Sequence, residues 1–191
     1  MVTQHDENEP ETQEREILTW QDFGDSMRNL AQEIANSGWM PDVVVALARG
    51  GLLPAGALAY ALGIKAMGTM NIEFYTDISE TLPDPILIPP LMDLSALRGK
   101  RVLIVDDVAD SGKTLKLVSD IIQTKGLPSG THGVDGQYVQ VDEVRTACIF
   151  VKSRSVIVPD YVCKHTDLWI NFPWSNKPPV TADNYVFHVK S

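Results

Sequence analysis

The run Val102-Leu103-Ile104-Val105-Asp106-Asp107, continued by Val108-Ala109-Asp110-Ser111-Gly112-Lys113-Thr114, constrains this chain more than any other stretch. Its four leading residues are apolar and mostly β-branched, the composition of a buried strand. The pattern predicts a strand over 101–106 with two carboxylates at its carboxyl end, then a Ser-Gly loop that opens a helix over 114–125. In an open α/β sheet, ligands bind at the carboxyl ends of strands. A helix start with unpaired N–H groups suits a phosphate. Acids beside such a cradle point to a ligand that carries both a sugar and phosphates, with a divalent metal between them.

The rest of the chain alternates in the same way. Thr19 is placed to cap a helix on which Phe23, Met27, Leu30, Ala31 and Ile34 recur at helical spacing, with Gly38 ending it. A buried strand is predicted over 42–47, then the small-residue turn Ala48-Arg49-Gly50-Gly51, a helix over 52–62 stopped by Gly63, and a strand over 65–74. Residues 75–99 hold four prolines and several acids and read as a long functional loop. A second turn-rich excursion covers 128–142, followed by a strand over 144–151 and short apolar segments at 161–162 and 169–172. Strands alternating with helices predict an α/β fold with a mostly parallel sheet.

Composition narrows the class. A chain of 191 residues with 44% apolar content suits one folded domain, expected over 16–191 behind a disordered acidic tail at 1–15. No apolar run approaches the roughly 18 residues that span a bilayer, and the amino terminus has no apolar signal core, so no stable membrane insertion is expected. A net charge of −9 without a basic run argues against nucleic acid as partner. Cys148 and Cys163 sit in apolar segments and are read as reduced thiols of a cytoplasmic protein, and the four histidines lack zinc-ligand spacing.

Two other readings of the acidic strand fail. A P-loop needs Gly five residues before Gly112-Lys113-Thr114, where this chain has Asp107. A receiver domain also opens on paired acids, but it needs a separate phosphoacceptor Asp on a later strand and leaves Ser111–Thr114 unexplained.

Val102–Thr114 resembles the 5-phosphoribosyl-1-pyrophosphate (PRPP) signature of the type I phosphoribosyltransferases: an apolar strand, two acids, two variable residues, then Asp-Ser-Gly-x-Thr. The likeness continues in order through Ile17–Trp20, Ala48–Pro54, Ile149–Lys152 and Asp167–Trp174, and is greatest to the bacterial xanthine-guanine branch. It implies the type I fold, a central sheet flanked by helices, with a small hood from about 155–191 joined by amino-terminal residues. It implies Mg²⁺-dependent transfer of the phosphoribosyl group to guanine, xanthine or hypoxanthine in purine salvage, by a homodimer or homotetramer.

The resemblance also implies roles. Asp106 and Asp107 hold the ribose hydroxyls, with Asp107 also near the metal. Val108, Ala109, Asp110, Ser111, Gly112, Lys113 and Thr114 belong to the PRPP site, the last five wrapping the 5-phosphate. Arg49 and Gly50 face pyrophosphate, at a turn where such enzymes often carry a non-proline cis peptide, here Ala48–Arg49. Asp110 is the implied base or hydrogen-bond partner at N7 of the purine. Lys152 donates to the exocyclic oxygen, the Trp169 ring stacks on the base and Ile170 offers backbone contacts. Trp20 and Trp174 are read as packing residues.

Three departures set this chain apart. Residues 75–97 hold no Lys or Arg, whereas relatives close a basic loop there over pyrophosphate. The 128–142 excursion has no evident counterpart, and Ser175 follows the Pro-Trp pair where relatives tend to carry an acid. Two alternatives stay open at this level: a phosphoribosyltransferase for another acceptor, and a non-catalytic PRPP- or nucleotide-sensing regulator of the same fold.

Overall fold

Val43–Leu47 and Val102–Val105 are apolar without alternation, as strands buried on both faces must be. They become neighbours at the middle of the main sheet. The computed structural model describes residues 14–73, 76–77, 80–81, 86–88, 99–129 and 137–181. Along them run β1 (Arg15–Ile17), α1 (Trp20–Asn36), β2 (Val43–Ala48), α2 (Leu52–Leu62), β3 (Met67–Glu73), β4 (Thr76–Asp77), β5 (Glu80–Thr81), β6 (Ile86–Ile88), β7 (Arg101–Ala109), α3 (Lys113–Lys125), β8 (Leu127–Ser129), β9 (Gln137–Val139), β10 (Glu143–Val151), β11 (Tyr161–His165) and β12 (Trp169–Asn171). None of the described helices is long and apolar enough to cross a membrane.

The chain divides into two units, a larger one from Gln21 to Asp167 and a smaller one formed by the segments before Gln21 and after Asp167. The larger unit holds a six-stranded sheet in the order β11-β10-β7-β2-β3-β6. All its pairings are parallel except β3 with β6. Pleating sends alternate residues to opposite faces. Val43, Val45 and Leu47 of β2, Val102 and Ile104 of β7 and Cys148 of β10 share one core cluster with Leu115, Val118 and Ile122 of α3. Burying side chains of this size stabilises by about 1.5–3 kcal/mol each, so this apolar stripe fixes how α3 lies on the sheet. The helix α1 buries the expected stripe Phe23, Met27, Leu30, Ala31 and Ile34. Gly63 ends α2 in the left-handed conformation (φ 71°) with its N–H turned back to the helix carbonyls.

In the smaller unit β1 pairs in parallel with β12, matching Arg15 to Trp169 and Ile17 to Asn171. Leu18 N–H donates to the Asn171 carbonyl at 3.1 Å. Trp174 stacks on Phe172 at 4.9 Å and lies 6.0 Å from Trp20, whose side chain is largely exposed rather than packed away as expected.

Several boundaries differ from expectation. The motif strand runs on to Ala109, three residues past the expected end, because β10 continues the ladder through Phe150↔Val108 and Val151↔Ala109. Tyr161–His165 belongs to the main sheet by its parallel pairing with β10, so the smaller unit's C-terminal part starts at Leu168, not near 155. Of the acidic tail, residues 1–13 lie outside the described residues, and Arg15 is already held in β1. The long loop at 75–99 contributes β4 paired with β5, and β6 paired with β3; most of its other residues lie outside the described ones. In the excursion at 128–142, β8 pairs with β9, and residues 130–136 lie outside the described set. Cys148 is buried and Cys163 exposed, and both are free thiols.

Candidate active site

The chain leaves β2 through α2 toward β3 on one side, and leaves β7 through α3 toward β10 on the other. Between adjacent β2 and β7 the direction of connection therefore reverses, and a crevice opens there at the carboxyl ends of the strands. Both loops singled out in the sequence, Arg49–Gly51 and Asp110–Gly112, leave from this point.

The peptide bond between Ala48 and Arg49 is cis, as the resemblance implied. Just beyond it, Gly51 N–H donates to the Leu47 carbonyl at 2.8 Å, and α2 starts at once. Arg49 stays exposed. A Cβ built on Gly50 would meet the carboxylate of Asp107, so the bare backbone of this turn lies directly against the second acid of β7. On the other loop Gly112 has φ 70° and would drive a Cβ into the Ser155 hydroxyl. A left-handed residue ahead of a helix turns successive N–H groups to one side, an anion-binding nest. The amides of Lys113, Thr114 and Leu115 precede the first i→i−4 donor of α3, Lys116, which bonds the Gly112 carbonyl at 2.9 Å.

Asp106 and Asp107 lie side by side. Asp107 N–H donates to Asp106 Oδ1 at 2.9 Å. Burial, then the charge of Asp107, pushes the Asp106 carboxyl above the usual carboxylate range, and burial does the same to Asp107. Among the described residues no Lys or Arg forms an ion pair with either acid. This is a pair of carboxylates in need of positive charge.

Asp110 meets a different environment. Arg154 donates to its Oδ1 from Nε (2.9 Å) and Nη2 (2.6 Å), and to Oδ2 from Nη2 (2.6 Å). Lys152 Nζ, whose side chain is only 10% exposed, stands 3.8 Å from Oδ1. The segment carrying both cations is tied to the motif loop: Lys152 N–H donates to the Ala109 carbonyl at 3.1 Å and Val156 N–H to that of Ser111 at 2.9 Å. Asp167 Oδ1 accepts from Ser153 N–H and Oγ at 2.9 and 2.8 Å, and these bonds hold its carboxyl below the usual range.

Comparison with known proteins agrees with this geometry. The phosphoribosyl transferase domain family matches residues 13–179. The chain belongs to that family. It is an enzyme, a pentosyltransferase. It is 26% identical over 171 residues to a xanthine-guanine phosphoribosyltransferase of Gluconobacter oxydans, covering 88% of this chain and 89% of that one. A protein of the same name from Cereibacter sphaeroides is 29% identical over 168 residues, with 82% and 84% covered. Among solved structures, a purine phosphoribosyltransferase from Pyrococcus horikoshii superposes with a TM-score of 0.68 at 33% identity, over 87% of this chain and 97% of that one.

Within this phosphoribosyltransferase the expected site residues fall into two groups. Arg49, Gly50, Asp106, Asp107, Asp110–Thr114 and Lys152 all belong to the larger unit, Asp106 and Asp107 within the last four residues of β7 and the others beyond the carboxyl ends of β2, β7 and β10. Val108 and Ala109 are the last residues of β7, and Ala109 is buried in the core cluster. Trp169 and Ile170 are on β12 of the smaller unit, where the Trp169 side chain is exposed. The sequence reading missed Arg154. Its only signal was a second cation two residues after Lys152.

Proposed function

We propose that the enzyme transfers the 5-phosphoribosyl group of PRPP to a 6-oxopurine (guanine, xanthine or hypoxanthine), releasing pyrophosphate, as a salvage reaction. One observation carries this reading: the paired acids of β7, the cis turn after β2 and the Gly112 helix start all leave the same crevice. The names of the relatives support a purine acceptor.

Each residue then has a role. Asp106 and Asp107 accept hydrogen bonds from the ribose hydroxyls, and the amides of 111–114, with the Ser111 and Thr114 hydroxyls, wrap the 5-phosphate. Arg49 directs its guanidinium at the leaving pyrophosphate. Two adjacent acids pushed toward protonation by burial would fit a Mg²⁺ ion, which binds through one or two carboxylates together with phosphates and water. Bound there, the ion would neutralise charge on the departing diphosphate. Asp110 accepts the proton at N7 of the purine, and Lys152 donates to its exocyclic oxygen.

The test is pyrophosphate release with Mg²⁺, PRPP and a panel of guanine, xanthine, hypoxanthine, adenine, uracil and orotate. Turnover confined to 6-oxopurines is expected. Asp110→Asn should lower kcat by about 100-fold or more, the scale of general acid–base catalysis, with PRPP affinity little changed. Turnover on pyrimidines alone defeats the acceptor assignment. Saturable PRPP binding without turnover on any base points instead to a sensor.

A further inference from the structure

We propose that Arg154 is a positioning residue for Asp110, turning its carboxylate so that one acceptor direction of Oδ2 stays open to the N–H of the incoming base. The proposal rests on the acceptor role given to Asp110 above. An ionised carboxylate has about four lone-pair sites. Arg154 fills both on Oδ1, through Nε and Nη2, and one on Oδ2. Among the described residues nothing donates to the remaining site on Oδ2.

The pair is poorly explained as a stabiliser. Arg154 is 65% exposed and Asp110 46%, and ion pairs at such exposure contribute little to folding. Its value is orientation. A carboxylate on an exposed turn rotates freely about χ2, whereas a planar guanidinium touching both oxygens holds it in one plane. The fork is itself anchored. Ser153, next to it, is pinned to Asp167 by two hydrogen bonds. On the other side Ser155 N–H donates to the Lys152 carbonyl at 3.0 Å and Val156 N–H to the Ser111 carbonyl. Arg154 thus stands to Asp110 as the third member of a triad stands to its base. Lys152 cannot substitute, since at 3.8 Å its ammonium contributes charge without a hydrogen bond.

Steady-state kinetics on wild type, Arg154→Met, Arg154→Lys, Asp110→Asn and the double variant Asp110→Asn/Arg154→Met test the proposal. Arg154→Met should lower kcat by about 10- to 100-fold, the cost of a misplaced reacting group, with KM for PRPP and the thermal midpoint unchanged. Arg154→Lys should recover only part, because a point charge does not fix a plane. The double variant should be no slower than Asp110→Asn alone, since Arg154 acts only through the carboxylate. An unchanged kcat in Arg154→Met, or a double variant slowed by the product of the single effects, overturns it while leaving the proposed reaction standing. A wild type inactive on every purine overturns both.

Discussion

Asp106→Asn is expected to make the ligand-free enzyme more stable while abolishing its turnover. Burial and the adjacent Asp107 charge raise the Asp106 carboxyl in the folded state. The unfolded chain has no such penalty and titrates near the ordinary carboxylate value. The folded state therefore binds the proton over a window in which the unfolded state has lost it. Stability contributed by this group is present at acid pH and is lost as pH rises from the carboxylate range through the raised value. This is the reverse of an ion-paired acid. Asn removes the charge but keeps Oδ1 as acceptor for the Asp107 N–H, so the local backbone loses nothing. A gain of about 1–2 kcal/mol at neutral pH, or about 2–8 °C in Tm, is expected. The fall in Tm between about pH 5 and 8 should flatten in the variant. On the proposed reaction, turnover should fall below detection, because Asn no longer offers a charged acceptor to the ribose hydroxyls. Melting curves against pH settle the first half and pyrophosphate release the second. A variant less stable than wild type at neutral pH would falsify the electrostatic account of this pair.

What was legible in the sequence was local. The stripe of α1, the bounds of α2 and the strand–turn–helix at 102–114 each follow from periodicity and turn chemistry within a dozen residues, and all three stand in the structure. The cis bond after Ala48 came only through family resemblance, since no residue there demands it by itself. What failed to show was non-local. The extension of β7 to Ala109 depends on partners more than forty residues away, Phe150 and Val151. Tyr161–His165 contains Lys164 and His165, polar enough to hide a strand, and is held by its ladder to β10 at the sheet edge. Arg154 lies 44 residues from Asp110, and only the packing of their two loops brings them together.

Gly51→Ala should be strongly destabilising, and Gly56→Ala, five residues on, a mild improvement. Gly51 has φ −70° and ψ −10°, a conformation alanine adopts without strain. The need for glycine is therefore one of space alone. A Cβ there would run into the Val105 carbonyl of β7 and the backbone of Leu47, and both are held by the sheet, Val105 opposite Ala46 of β2 and Ala147 of β10, Leu47 opposite Met70 of β3. Backbone cannot step aside as the tip of a side chain can. The cost is about 3 kcal/mol or more, a drop of roughly 6–12 °C in Tm for a chain of this size. Because the Arg49–Gly50 turn immediately precedes it, the same shift lifts that turn off Asp107, and turnover should fall with stability. Gly56 lies inside α2 with nothing within 4 Å of its missing Cβ. Alanine there exchanges the poorest ordinary helix former for the best and should add about 0.5–1 kcal/mol. Thermal melts of the two variants side by side separate close approach from helix propensity. A Gly51→Ala protein that melts with wild type would mean that the turn does not rest on β7, and the crevice built from the two loops would have to be abandoned.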